Sequence, residues 1–443
     1  MKIKLPKDVN AIINQLITNG YEAYAVGGCI RDSLLGKVPQ DWDITSSAKP
    51  SDVKRIFQRT VDTGISHGTV TVLVDRKGYE VTTFRIDGEY EDSRRPKSVE
   101  FTSELANDLK RRDFTINAMA YNDQEGLVDL YQGIKDLEKG IIRCVGNPFH
   151  RFNEDALRIL RAFRFSAQLN FEIEEETFRA ACKQRDNLKN ISAERIRTEL
   201  NKLLLSNHPE KIIELYQAGI TKIILPEFDE MMTMPYNKET GETLGLYVIR
   251  VLKILENSVK LKENIVLTDK SKLILRWSIL LHEVKNKDNY KDKSSLSKDV
   301  LRRLKFDNET IEKVACLIRW INVPFTLTPY GMRKAIYNIG PEIIELLFIL
   351  KYAKGMALTY PNYQKSLNDL NLAWDLYKEI QNRGDCTSLK MLKVNGSDLI
   401  AKGYKPGKKL GEILEYLLEI VLKEPDLNEK TILLTKADEY INK

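Results

Sequence analysis

Two aspartates two residues apart, Asp41 and Asp43 in VGGCIRDSLLGKVPQDWDITS, are the side chains of this sequence best placed to do chemistry. In a strand, residues two apart project from one face, so both carboxylates would stand together while Trp42 turns to the core. Like charges that close repel unless a cation lies between them. Magnesium, a hard ion that prefers oxygen ligands and bridges to phosphates, is the natural partner. Upstream, Gly27 and Gly28 sit between a strand-like AYAV and a helix-like segment, where a glycine turn lets backbone amides approach a phosphate. Arg31 adds positive charge one helical turn later. Each motif has a plainer reading by itself: a bare Asp-x-Asp is usually a capped turn, and Gly-Gly an ordinary tight turn. Their combination is what points to phosphate chemistry. Glu80, in YEVTTFR, is expected either to bring a third carboxylate to the metal from a neighbouring strand or to pair across strands with Arg85 or a lysine.

Two further clusters carry charge in patterns. Arg111, Arg112 and Asp113 precede the apolar FTINAMA, as if a basic pair were held at the mouth of a site by a buried segment. Forked guanidinium donors match triphosphate oxygens bidentately, although a KRRD run alone is a solvated cluster by default. Downstream, Asp155, Arg158, Arg161 and Arg164 recur every three residues, which places them on one slowly drifting face of a helix expected to begin at Glu154. Leu157, Leu160 and Phe165 are left for packing. An Asp-Arg pair at that spacing can be a surface salt bridge of little worth, but three arginines on the same face call for some other anion.

These residues need elements to hold them. Before residue 146, short β-rich stretches (AYAV, GTVTVLV, YEVTTFRI, SVEF) alternate with Gly, Asp and Pro, and a helical pattern at 11–18 precedes the first strand. After Asn147 and Pro148 the spacing is helical almost throughout. Residues 284–299 read as a polar loop between helices, and 87–101 (DGEYEDSRRPKSVEF) as a mobile loop bounded by strands. The 443 residues suit two to four structural units, and 42% hydrophobic with 30% charged residues leaves no case for wholesale disorder. With 69 Lys and Arg against 63 Asp and Glu, a net of +6, any nucleic-acid surface must be local. No apolar run is long enough to span a membrane and the start lacks a signal peptide, so the expected location is cytoplasmic, with no membrane partner. Five scattered cysteines and four histidines indicate neither a zinc site nor a disulfide framework; buried free thiols are expected.

VGGCIRDSLLG, DWDITS, EDSRRPKSVEF, RRDFTINAMA and EDALRILRAFRF, in that order along the first half of the chain, resemble the bacterial tRNA nucleotidyltransferase and poly(A) polymerase family, in its CCA-adding (class II) members. The resemblance implies an α+β fold: a polymerase-β-like catalytic head with a mixed β-sheet at 1–148, followed by an all-α neck for base recognition at 149–210, a degenerate phosphohydrolase-like body at 211–335, and a tRNA-binding tail at 336–443. It also implies template-independent addition of C, C and A to the 3′ end of tRNA from CTP and ATP, releasing pyrophosphate. Asp41 and Asp43 would hold Mg2+, and Gly28, Arg31 and Arg112 the triphosphate. Asp155 and Arg158 would read the Watson–Crick edge of the base, where C and A present an amine donor and G and U a carbonyl. Arg161 and Arg164 would complete the nucleotide site or anchor the helix to it. The loop at 87–101 marks enzymes able to add the terminal A. The partners implied are the tRNA 3′ end, CTP and ATP, in a monomer or homodimer.

Three other readings stay open: an A-adding enzyme working beside a separate CC-adding one, a poly(A) polymerase, and, from a different class, a non-catalytic RNA-binding protein. Two features depart from the family pattern. LLHEVKN carries Glu283 where a phosphohydrolase Asp would stand, so His282 reads as a helix-end residue rather than a ligand. Residues 384–443 balance basic against acidic side chains, so tRNA contact there would rest on Lys402, Lys405, Lys408 and Lys409, unless these are simply a solvated turn.

Overall fold

Helix α1 (Lys7–Thr18) turns Val9, Ile12, Ile13 and Leu16 inward at i, i+3, i+4 and i+7. Burying those four side chains contributes about 6–12 kcal/mol before the cost of ordering the chain. Residues 2–88, 90–91, 95–96, 99–260, 267–285, 292–358 and 362–441 are described in the computed structural model. Its contacts divide the chain into two units, Met1–Asp229 and Glu230–Lys443. That boundary falls inside the segment expected to form a separate body.

The first unit is built on a mixed sheet. β1 (Ala23–Val26), β2 (Ile44–Ser46), β3 (Thr60–Gly64), β4 (Thr69–Val74) and β5 (Lys77–Thr83) are joined by β8 (Met119–Asn122) and β9 (Gly126–Asp129) in the order β9-β8-β1-β2-β5-β4-β3. The β2–β5 pair is parallel, with Ile44 opposite Val81, and the other pairings are antiparallel. β1 is buried along its whole length. Ala25, Ile44, Val70, Val72 and Val81 pack against α1 and α3 (Pro50–Ile56), while Tyr24, Val26, Phe84 and Ala120 meet Leu105 and Leu109 of α4 (Leu105–Lys110). Strand alternation thus gives the sheet two covered faces, and the second of them bears the charged cluster. Between β5 and α4, β6 (Arg85–Asp87) pairs antiparallel with β7 (Val99–Phe101) at the base of the loop expected at 87–101; residues 89, 92–94 and 97–98 of that loop lie outside the described residues.

The helical part starts with α6 (Pro148–Glu154), after α2 (Gly28–Leu34) and α5 (Gly133–Lys139) of the head, and continues with α7 (Leu157–Leu169), α8 (Glu175–Gln184), α9 (Ala193–Leu204) and α10 (Ile212–Gln217). One helix was expected from Glu154 onward, but the chain breaks there: Asp155 is extended, with φ −136° and ψ 104°, and α7 begins two residues later.

In the second unit, helices Leu244–Lys260, Asp269–Leu281, Asn308–Trp320 and Pro341–Met356 pack together, and a separate apolar cluster gathers Leu399, Ile413, Leu417, Val421 and Leu433. The polar stretch expected as a loop at 284–299 is partly helical: Asp292 caps a helix over Lys293–Arg303, its carboxylate accepting from the Ser295 amide, and residues 286–291 lie outside the described residues. Among the described residues no helix is long and apolar enough to cross a membrane.

Candidate active site

Asp41 and Asp43 precede β2 rather than lying inside it, and both are exposed. Asp43 is fixed by its backbone, whose carbonyl accepts from the Val26 amide at 3.0 Å and so extends the β1–β2 pairing by one step. Trp42 is half-buried against the α1 face, on the expected side. By strand alternation Asp43 shares the α4 face with Thr45, whose hydroxyl reaches Asp108 of α4 at 3.2 Å.

Although Asp43 keeps contact with solvent, the surrounding protein desolvates its carboxyl and raises its pKa; Arg112 works the other way and Asp41 adds to the rise. Two neighbouring carboxylates, one of them desolvated, offer adjacent oxygen donors that fit a hard divalent cation. Glu80 stands one step before Val81 in β5, in register with Asp43, but its side chain is exposed and makes no ion pair or hydrogen bond among the described residues. No group of three carboxylate, histidine or cysteine side chains among the described residues is close enough to hold a metal ion, so the geometry brings two carboxylates together and leaves Glu80 out. Nor is Glu80 the partner of Arg85, which pairs with Asp87 at 3.2 Å.

Opposite the aspartates, Asp108 is completely buried and accepts from Arg111 at 2.6 and 2.8 Å and from Arg112 at 3.2 Å. Burial raises its carboxyl pKa, but Arg112 and Arg111 outweigh that and hold it below the usual range. The basic pair is thus anchored, not solvated. Arg112 lies against Gly27, where φ is +85° and an added Cβ would sit 3.1 Å from its Nη1. Gly27 is the glycine this turn requires; a Cβ on Gly28 would meet Arg31 at an ordinary 3.6 Å.

The arginines of the pattern behave differently from a free anion-binding row. Arg31 is buried, donates to Asp32 at 2.8 and 2.9 Å and to Asn117 at 2.7 Å, and lies 5.0 Å from the centre of the Phe165 ring. Asn117 in turn donates to Asp113 at 3.2 Å, and Asp113 accepts from Arg161 of α7 at 2.5 and 2.7 Å. Burial alone would raise the Asp113 carboxyl; Arg161, with help from Asn117 and Arg158, brings it down to about 2. Arg164 pairs with Glu199 of α9 at 2.7 Å, and burial lowers its pKa to about 10 despite that partner. Arg158 donates to Glu154 at 2.6 Å and to the Arg111 carbonyl at 3.0 Å.

The anions that α7 calls for are therefore largely the protein's own carboxylates, because this helix is buried on nearly every side. Arg161 and Arg164 are each paired with a carboxylate of this chain, Asp113 and Glu199. Asp155 does not pair with Arg158: its carboxylate accepts from the Leu157 amide at 3.1 Å and binds Arg195 of α9 at 3.0 Å. Asp108, Asn117, Glu154, Arg195 and Glu199 went unassigned in the sequence reading. Asp108 and Glu154 left a local signal there, Asp108 three and four residues before the arginines it holds and Glu154 four before Arg158.

In the second unit, His282 closes helix Asp269–Leu281 and is fully buried, its Nδ1 2.6 Å from the Ile279 carbonyl; burial lowers its pKa to about 4. Its neighbour Glu283 is paired with Lys293 and, at 3.5 Å, with Lys354. Lys402, Lys405, Lys408 and Lys409 are all exposed; Lys402 is bound to Asp438 and to the Leu434 carbonyl at 2.8 Å, and Lys408 lies 4.0 Å from Glu412. All five cysteines are free, Cys29, Cys144 and Cys386 buried and the other two half-buried.

Two carboxylates at the end of a mixed sheet, facing anchored arginines and followed by helices, define a nucleotidyltransferase with a polymerase-β-like head. Models of the poly A polymerase head domain, of the probable RNA and SrmB-binding site of polymerase A, and of a putative second tRNA nucleotidyltransferase domain match residues 23–143, 170–232 and 271–437. The CCA-adding enzyme of Ligilactobacillus salivarius is 36% identical over 97% of this chain and 95% of its own length; that of Enterococcus faecalis is 34% identical over 99% and 97%. The Bacillus stearothermophilus CCA-adding enzyme, solved in complex with CTP, superposes with a TM-score of 0.74 at 27% identity, covering 100% of both chains. The chain belongs to the CCA-adding enzyme family.

Proposed function

We propose that this chain adds C, C and A, without a nucleic-acid template, to the 3′ end of tRNA, taking CTP and ATP and releasing pyrophosphate. The observation that carries the reading is the Asp41–Asp43 pair, with the Asp43 carboxyl desolvated and within the electrostatic reach of Arg112. In the reaction the terminal 3′-hydroxyl attacks the α-phosphorus and gives up its proton to solvent, a new O–P bond forms, and the bond from the α-phosphorus to the bridging oxygen breaks, that oxygen leaving with the pyrophosphate. Asp41 and Asp43 would hold a divalent ion, magnesium, which would supply Lewis-acid activation to the transfer. Arg112, held by Asp108 against the Gly27 turn, meets the triphosphate beside the Gly28 backbone, with Arg31 contributing charge from behind.

Asp155 and Arg158 read the base. An ionised carboxylate is acceptor-only, so it accepts the amine of C or A and opposes the carbonyl of G or U. Arg161 and Arg164 keep α7 in place. Residues 1–148 act as the catalytic head, 149–210 as the base-reading neck, 211–335 as the body, and 336–443 as the tail. In that tail Lys405, Lys408 and Lys409 contact tRNA phosphates, while Lys402 has a partner of its own. The protein works in the cytoplasm.

The test is incorporation with magnesium on tRNA transcripts ending at the discriminator base, at C and at CC, each offered CTP, ATP or both. Three residues added to the shortest transcript are expected, and none by Asp43→Ala, folded as judged by its melting curve. A single A on the CC-ended transcript alone would indicate an A-adding specialist. Long A tracts would indicate a poly(A) polymerase, and binding without turnover an idle RNA-binding protein.

A further inference from the structure

A groove of about 580 Å³ lies on the α1 side of the head, between residues 2–6, the end of α2 and the segment that leads to the two aspartates. Among the residues that line it are three lysines, Lys2, Lys4 and Lys37, and none is acidic. The fold sets their positions. Ile3 is buried in the core that α1 covers, which leaves its neighbours Lys2 and Lys4 exposed on either side of it. Gly36, at φ +71°, turns the chain out of α2, and the amide of Lys37 is then fixed by the Asp32 carbonyl at 2.9 Å. None of the three ammonium groups has an ion pair or hydrogen bond among the described residues. Val38, Pro39 and Trp42 supply an apolar strip beside them, and Val38 is 92% exposed.

Exposed lysines and a single exposed valine are each ordinary on a protein surface. Gathered in one concave wall, they offer charge for phosphates and an apolar and aromatic face for bases, the combination that suits a single nucleic-acid strand. The volume is that of a small-molecule site, enough for part of one strand and too little for a duplex. The groove is also close to the metal-holding pair. Trp42, which lines it, stands between Asp41 and Asp43 in the chain. Val38 precedes Asp41 by three residues, so their Cα atoms are at most about 11 Å apart. Stacked nucleotides advance about 3.4 Å each, so about three of them cover that distance.

We propose that this groove receives the unpaired 3′ end of the tRNA, about one to three nucleotides behind the reacting hydroxyl. Lys2, Lys4 and Lys37 meet its phosphates, and Val38, Pro39 and Trp42 lie against a base. This placement rests on the reading of Asp41 and Asp43 as the reacting centre. The groove holds the strand being extended and takes no part in binding the incoming nucleotide.

The test compares wild type with two variants, Lys2→Gln, Lys4→Gln and Lys37→Gln together, and Val38→Asp alone, each checked for a cooperative melt. For each, KM is measured for a CC-ended tRNA transcript and for ATP, and tRNA binding is titrated against salt. The lysine variant should raise the KM for tRNA at least about tenfold and flatten the slope of log K on log salt by about 2, at about 0.7 per single-strand phosphate. Val38→Asp, which sets a carboxylate in the groove, should raise the same KM. The KM for ATP should not change in either. A blunt acceptor duplex with no unpaired nucleotide should bind wild type and the lysine variant alike. Unchanged KM and slope for tRNA overturn the proposal, as does an equal loss of binding to the blunt duplex, or a raised KM for ATP alone. Should the lysine variant fail to fold, Val38→Asp decides, and a wild-type KM for tRNA there counts against the groove. Full incorporation by Asp43→Ala would instead overturn the reading of the reacting centre, a separate outcome.

Discussion

Asp113 offers the cleanest energetic test of how the head is joined to α7. Its carboxylate is 8% exposed, accepts from Arg161 at 2.5 and 2.7 Å and from Asn117 at 3.2 Å, and has its pKa lowered from 3.8 to about 2. A folded-state pKa below the unfolded one means that the unfolded chain binds the proton more readily. The stabilisation is therefore fully present above about pH 4 and is lost as pH falls towards 2. At about 1.4 kcal/mol per unit, that depression corresponds to about 2–3 kcal/mol. In a unit of this size each kcal/mol moves the melting temperature by about 2–4 °C, so Asp113→Asn should melt about 5–10 °C below wild type at pH 7. Thermal melts of both proteins at pH 7, 5, 4 and 3.5 should show a gap that is constant down to about pH 4 and then begins to close. Arg161→Met in the Asp113→Asn background should cost little more, since the partner is already gone. Equal melting at pH 7, or a gap indifferent to pH, would refute the argument that this ion pair ties the two elements together.

Asp108→Asn removes the carboxylate that, among the described residues, Arg111 and Arg112 share, at a site with no exposure. We expect about 3–5 kcal/mol of destabilisation in a denaturant titration and a raised nucleotide KM; an unchanged midpoint would contradict the anchoring role. His282, with its pKa lowered to about 4, should stay neutral through pH 5 in NMR titrations with its proton on Nδ1, donating to Ile279, and a midpoint near 6.5 would show that it is not buried as described. Because its folded pKa lies below the ordinary one, His282 favours folding above about pH 6.5 and less so as pH falls through 4. Replacing Lys405, Lys408 and Lys409 together by Gln should flatten the dependence of log K for tRNA on log salt by about 2, whereas Lys402→Gln, at a lysine already paired with Asp438, should leave the slope unchanged.

The sequence by itself determined which residues are chemically committed. Asp41 and Asp43 are legible because two carboxylates at a spacing of two, after a glycine turn, form a local pattern that needs no knowledge of the rest of the chain. The strands of the head were legible for the same reason: alternation in TVTVLV is settled by neighbours along the chain, and Val70 and Val72 are indeed the buried ones. The repeat of arginines in α7 was equally visible, but what they do was not.

Their partners come from far along the chain. Asp113 lies 48 residues before Arg161, Asn117 86 residues after Arg31, and Arg195 40 residues after Asp155. A charge pattern on one helix states that counter-charges must exist; only packing decides whether a substrate or another helix supplies them. The same limit explains the break at Asp155, where helical periodicity continues through a residue that Arg195 and the Leu157 amide hold in an extended conformation. It also explains Glu80, which lies on the strand paired with β2 as expected yet is exposed. Periodicity reports the face on which a side chain stands, and tertiary structure decides what that face meets, because burial makes an unpaired charge too costly to leave without a partner.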